Sequence, residues 1–143
     1  MKLNHNVWLP KLEFILQTIS ITYPKTPNTV TKKKYYEFIQ NLPIFIPVYP
    51  FGKNFIKLLN KYPVTPYLDS REAFMRWVHY IFNKIDKQLE IPEKTFYESL
   101  DKYYDEYKPK ELRKQEQTKL REKYYYFVVS LIVIFSIYYN YKK

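Results

Sequence analysis

The 143-residue chain contains no cysteine. That absence excludes disulfides, thiolate nucleophiles, cysteine zinc sites and thiol redox chemistry within the chain. It says nothing about compartment. A single glycine, Gly52, excludes a glycine-rich phosphate loop. Two histidines, His5 and His79, are too few for a histidine-based metal site without help from several carboxylates. The opening residues "MKLNHNVWLP" lack the apolar stretch of a secretory signal. Acidic residues are also short in supply: 14 Asp and Glu face 24 Lys and Arg, for a net charge of +10. Half of that excess, +5, falls in residues 110–143. Proline is plentiful, with ten in the chain, but none lies beyond Pro109.

What is present reads as helix. Apolar residues make up 46% and aromatics 20% of the chain, enough for the core of one domain. The prolines punctuate five helical patterns. The first covers about Pro10–Thr22 with Leu12, Ile15, Leu16 and Ile19 at helical spacing, and Pro10 suits a first turn. The second covers about Thr31–Leu42 and the third about Pro50–Lys61. In the fourth, "DSREAFMRWVHYIFNKIDKQLE", Asp69 and Glu72 stand at capping-box spacing. Phe74, Trp77, Val78, Ile81, Phe82, Ile85 and Leu89 form one broad apolar stripe there. The fifth covers about Glu93–Tyr107. No period-2 segment of strand length is present, so the expected fold is all-α, a four-helix bundle plus a short fifth helix.

Beyond Pro109 the character changes. "KPKELRKQEQTKLREK" is polar except for Leu112 and Leu120, and suits either a solvated helix or a flexible stalk. Tyr124–Tyr139 then runs 16 residues without a charge. As a helix it spans about 24 Å, against about 30 Å for a bilayer core. Tyrosines at both ends match an interfacial belt. The expected organisation is a bundle over 1–109, a basic polar stalk over 110–123 and a transmembrane tail anchor over 124–141. The basic flank places the bundle on the cytoplasmic side and suits anionic head groups. "KKKYY", Lys32–Tyr36, interleaves bases with aromatics as a single-strand binder would. On an amphipathic helix it reads better as a solvated face, so no nucleic acid is expected as a partner, and no metal.

One connection stands out. "NLPIFIPVYPFGKNF", Asn41–Phe55, gathers Pro43, Pro47, Pro50 and Gly52 among apolar residues between two helices. Three islands, "EFILQTISITYP", "LPIFIPVYPFGKNF" and "WVHYIFNKIDKQL", keep the order and spacing found in the Erv/ALR family of FAD-linked sulfhydryl oxidases. Over Val7–Tyr107 the chain resembles that family, which implies a small helical bundle, usually dimeric, with FAD among the helices. The resemblance places the family's redox Cys-x-x-Cys at Val48-Tyr49-Pro50-Phe51, where neither end carries sulfur.

The resemblance also places the family's flavin-contacting tryptophan and histidines at Glu13, Gln17, Asn54 and Phe82. Asn83 is retained, a second asparagine becomes Asp86, and Trp77 persists. Read as plain bundle residues, Trp77 and Phe82 are core, Asn83 and Asp86 are solvated, and Val48 and Phe51 fill space once shared by sulfur and flavin. The combined expectation is a degenerate, catalytically inactive member with no catalytic residues and no bound cofactor. It would act as a membrane-tethered structural subunit, pairing with itself or with an active relative, and a viral membrane or virion would suit it. The alternative is an FAD-binding oxidase component that uses the cysteines of a partner chain.

Overall fold

The computed structural model describes residues 3–46 and 51–141. Six α-helices follow in order: α1 His5–Ile21, α2 Thr29–Asn41, α3 Phe51–Lys61, α4 Arg71–Gln88, α5 Phe96–Asp105 and α6 Lys110–Tyr141. Short 3-10 turns at Leu42–Phe45 and Thr65–Tyr67 join them. No strand occurs among the described residues. The chain divides into two compact units, Met1–Tyr103 and Tyr104–Lys143.

Local chemistry sets the helix ends. α1 starts five residues before Pro10, because Asn4 caps it by accepting from the Asn6 N–H at 3.0 Å. Pro10 therefore lies inside the helix. The carbonyl of Asn6 that it cannot bond is on an exposed residue, where water can serve it. Asn28 caps α2 by accepting from the Thr31 N–H at 2.8 Å. Ser70, not Asp69, caps α4, accepting from the Ala73 N–H at 3.2 Å. Asp69 instead meets Lys32 at 2.6 Å. α5 opens with a reciprocal capping box: Thr95 N–H donates to Glu98 at 2.7 Å and Glu98 N–H to the Thr95 hydroxyl at 3.2 Å. Those bonds, the backbone one first, hold the Glu98 carboxyl below its usual range;.

The core of the first unit is organised by α4. Phe74, Trp77, Val78, Ile81, Phe82 and Ile85 are all buried, so the apolar stripe faces inward throughout. α4 packs chiefly on α1, which contributes Leu9 and Leu16. The tyrosine of "ITYP" anchors the interhelical corner. Tyr23 is fully buried, its ring edge-on to Tyr35 and Phe74 at 4.6 and 5.2 Å, and its hydroxyl donates to the Leu68 carbonyl at 2.8 Å. Tyr23→Phe leaves that carbonyl without its donor. It should lower unfolding stability by about 1–3 kcal/mol, read as a shift of the denaturant midpoint at unchanged slope. An unmoved midpoint would mean the corner does not depend on this bond.

Gly52, near the start of α3, has a specific steric reason. A β-carbon there would lie 3.2 Å from the Ile46 carbonyl oxygen and 3.4 Å from that of Pro43. The absent side chain lets α3 press against the 3-10 turn that ends α2.

The second unit is carried by α6. Residues 110–123 and 124–141 form one uninterrupted helix. Lys108, just before it, bridges Asp105 at 2.8 Å and Glu116 at 3.2 Å. Its apolar half is exposed, for example Ile134 at 62% and Phe135 at 71%. α6 is long and apolar enough to cross a membrane.

Candidate functional site

Val48 and the side chain of Phe51 lie outside the described residues. The remaining positions expected to matter divide between two faces of α4 and the core. Glu13 and Gln17 on α1, and Asn83 and Asp86 on α4, meet under α5. Phe82 is buried at 3% exposure, and Trp77 is equally buried. Trp77 donates its indole N–H to the Tyr62 carbonyl at 3.1 Å. Asn54 joins neither group; with Lys84 and Lys87 it lines a cleft between α3 and α4.

The face under α5 is built around Lys94, in the connection between α4 and α5. Its ammonium lies 2.9 Å from Asp86 and 3.8 Å from Glu13. Lys102 on α5 reaches Glu13 from the other side at 3.9 Å. The carboxylate side chains retain only 8% exposure at Asp86 and 13% at Glu13. Burial alone would lower the Lys94 pKa. The hydrogen bond to Asp86, then the charge of Glu13, outweigh burial and hold it above the usual value of 10.5;.

Asn83 fixes the backbone at the same place. Its amide donates to the Lys94 carbonyl at 2.8 Å and accepts from the Lys94 N–H at 3.2 Å. Its amide also lies 3.1 Å from the His79 ring. Burial, then the charges of Lys94 and Arg76, push the His79 pKa below 6.5 against the opposing pull of Asp86.

The remainder of α5 completes the cover. Gln17 donates to the Ser99 hydroxyl at 2.7 Å, Thr18 and Tyr103 share a hydrogen bond of 3.0 Å, and Phe14 stacks on Tyr103 at 5.0 Å. A space of about 10 Å³ remains among Gln17, Ser20, Met75, His79, Phe96 and Ser99. The sequence pattern points to Glu13, Gln17, Asn83 and Asp86 but not to Lys94 or Lys102. No helical spacing links Lys94 to Asp86 across the chain reversal; only Pro92 and the Thr95–Glu98 box mark where the chain turns.

Comparison with known proteins agrees with this architecture. The sequence model of the Erv1 / Alr family matches residues 14–108. A protein named as a probable FAD-linked sulfhydryl oxidase, from Acanthamoeba polyphaga mimivirus, is 32% identical over 81 residues, 52% of this chain and 57% of that protein. The chain thus spans little more than half the length of this relative. The crystal structure of the yeast Erv1 core superposes with a TM-score of 0.65 at 21% identity, over 73% of this chain and 87% of that one. The FAD-binding domain of Erv1 from Saccharomyces cerevisiae gives the same score and identity over 72% and 96%.

These findings correct one expectation. The changes at Glu13, Gln17, Asn54 and Phe82 suggest a chain without a cofactor, whereas the named relatives point to FAD. The physical reason is that a dinucleotide spreads its contacts over a large buried surface. Four altered side chains therefore do not decide its presence. The donor set under α5 does not offer room or free charge for such a group: Lys94 and Lys102 are paired with Glu13 and Asp86, and about 10 Å³ is open beside Gln17.

Proposed function

Because this chain belongs to the Erv1/Alr family, we propose that it is a membrane-tethered, sulfhydryl-oxidase-like subunit with a structural or scaffolding role that does not itself oxidise thiols. The observation that carries this reading is the absence of cysteine from a chain that matches the family over most of its bundle. Thiol oxidation through a protein disulfide requires a thiolate to attack sulfur and a second sulfur to leave. Val48 and Phe51 can do neither. FAD, when bound, would supply an electron acceptor. Without an internal dithiol, electrons could reach such a flavin only from a partner.

The reading extends to location and company. α6 tethers the protein to a membrane, and the lysines and arginines before Tyr124 favour a bundle on the cytoplasmic side. The bundle pairs with itself or with an active relative. The mimivirus relative makes a viral membrane or virion a reasonable setting. A second reading is favoured by the FAD-linked names of the relatives: a flavin-bearing component that takes electrons from the cysteines of a partner chain.

Crosslinking in the native membrane, followed by identification of the joined chains and a flavin spectrum, tests both. Self-crosslinks, or crosslinks to a cysteine-bearing relative whose own activity persists without this chain, support the structural role. A partner whose thiols reduce flavin bound to this chain supports the second reading. A chain recovered only as an uncrosslinked monomer would contradict both.

A further inference from the structure

A second polar region, of which only Asn54 figures above, lies apart from the α5 face. On the α3–α4 side of the bundle, Asn54, Lys57, Lys61, Tyr62, Lys84 and Lys87 line an open cleft of about 490 Å³. That size falls in the range of small-ligand sites, about 300–1,000 Å³. Its chemistry is unlike that of the α5 face. Lys84 and Lys87 each sit about 100° around α4 from the residue before them, Asn83 and Asp86 respectively. Four ammonium groups line it, and no carboxylate does.

One acid approaches from outside the cleft: Glu93 lies 4.0 Å from Lys84 and 3.9 Å from Lys87. Among the described residues neither Lys57 nor Lys61 forms an ion pair. One carboxylate thus stands against four like charges, which repel one another across the cleft. The walls are held in place independently of any ligand. The Tyr62 ring stands edge-on to Tyr80 at 5.1 Å, and its carbonyl takes the Trp77 indole bond at 3.1 Å. Lys84 lies over the Tyr80 ring at 4.7 Å, and Lys61 lies near the Tyr62 ring at 5.4 Å. The Tyr62 phenol is held below its usual pKa, first by its hydrogen bond with Tyr80 and then by Lys61 and Lys84.

We propose that the α3–α4 cleft binds a small anion carrying several phosphates, with Lys57, Lys61, Lys84 and Lys87 as its cations. Lysine meets phosphate as a point charge with rotatable donors, without requiring the planar geometry of a carboxylate. A single carboxylate would neutralise only one of the four, whereas a multivalent anion answers all of them. Tyr62 and Asn54 add neutral hydrogen-bonding groups at the wall. The same chemistry is offered by a free polyphosphate and by a polyphosphorylated lipid head group.

Titration calorimetry on the full chain in neutral detergent separates the sources, with inorganic tripolyphosphate as the free probe and inositol trisphosphate as the head-group probe. At least one should bind, more weakly as salt rises, and the tighter of the two identifies the source. Lys57→Gln with Lys84→Gln should weaken that binding about tenfold or more. Lys33→Gln with Lys34→Gln, on exposed α2 positions, removes the same charge elsewhere and should change it less than about twofold. If the first pair fails to fold, Lys61→Gln with Lys87→Gln replaces it, since both side chains are exposed. Absence of binding by both probes at low salt would overturn the proposal. So would equal weakening by cleft and control variants, or tighter binding of a single-stranded oligonucleotide through the same lysines.

Discussion

A chain ended after Lys123 moves from the membrane pellet to the soluble fraction and keeps the cooperative unfolding of its first unit. Both halves of this result follow from where the apolar surface lies. The buried hydrophobic residues, from Leu9 to Tyr103, all precede α6. The apolar side chains of Tyr124–Tyr139 are exposed along almost the whole helix. Removing them takes nothing from that core and removes the one helix long and apolar enough to cross a bilayer among the described residues. A helix of this length gains its stability in lipid because every backbone group is satisfied within it. Fractionation after carbonate washing, with circular dichroism on the truncated chain, reads both effects. A truncated chain that aggregates or unfolds without a cooperative transition would place Tyr124–Tyr139 in the protein core and end the membrane reading.

Lys94→Met should be the most damaging single exchange under α5. It leaves Glu13 and Asp86 in place, largely buried, without the ammonium they share. Breaking a buried ion pair by removing one partner costs about 3–5 kcal/mol. Lys94 retains 26% side-chain exposure, so the lower end, about 3 kcal/mol, is expected. Lys94→Met combined with Glu13→Gln and Asp86→Asn should recover most of the loss, since no buried charge is then stranded. The native lysine has its pKa raised in the fold. Its contribution is therefore complete below the unfolded value of 10.5, and is lost as pH rises through the higher folded value. Denaturant titration of the single and triple variants at neutral pH checks this. A single variant within about 0.5 kcal/mol of the parent, the range of ordinary surface changes, would show that the cluster is solvated and structurally idle.

How much of this was readable from sequence depends on the range of the interaction. The α4 stripe is local and periodic, and each of its positions from Phe74 to Ile85 is buried. The helical fold and the family resemblance rest on signals of that kind. Helix ends depend on single hydrogen bonds and were less legible. Asp69 and Glu72 have capping spacing, yet Ser70 provides the cap and Asp69 turns to Lys32. Pro10 suggests a start that Asn4 sets earlier. The polar run before Tyr124 permits either helix or flexible stalk. It is helix in the structure because Lys, Glu, Gln, Arg and Leu all favour that state and no proline follows Pro109. The α5 face was half legible. Glu13, Gln17, Asn83 and Asp86 stand out by their place in the family pattern. Lys94 and Lys102 reach them only through a tertiary turn.

The proposed structural role requires the family's fold without its thiol chemistry. The direct measurement is oxygen consumption by the purified full chain supplied with FAD and dithiothreitol, with no other protein present. The expected rate is that of free FAD with dithiothreitol alone, before and after the chain is added. Thiol-dependent oxygen consumption that rises in proportion to the chain, at the 1–10³ s⁻¹ turnover typical of enzymes, roughly, would contradict it.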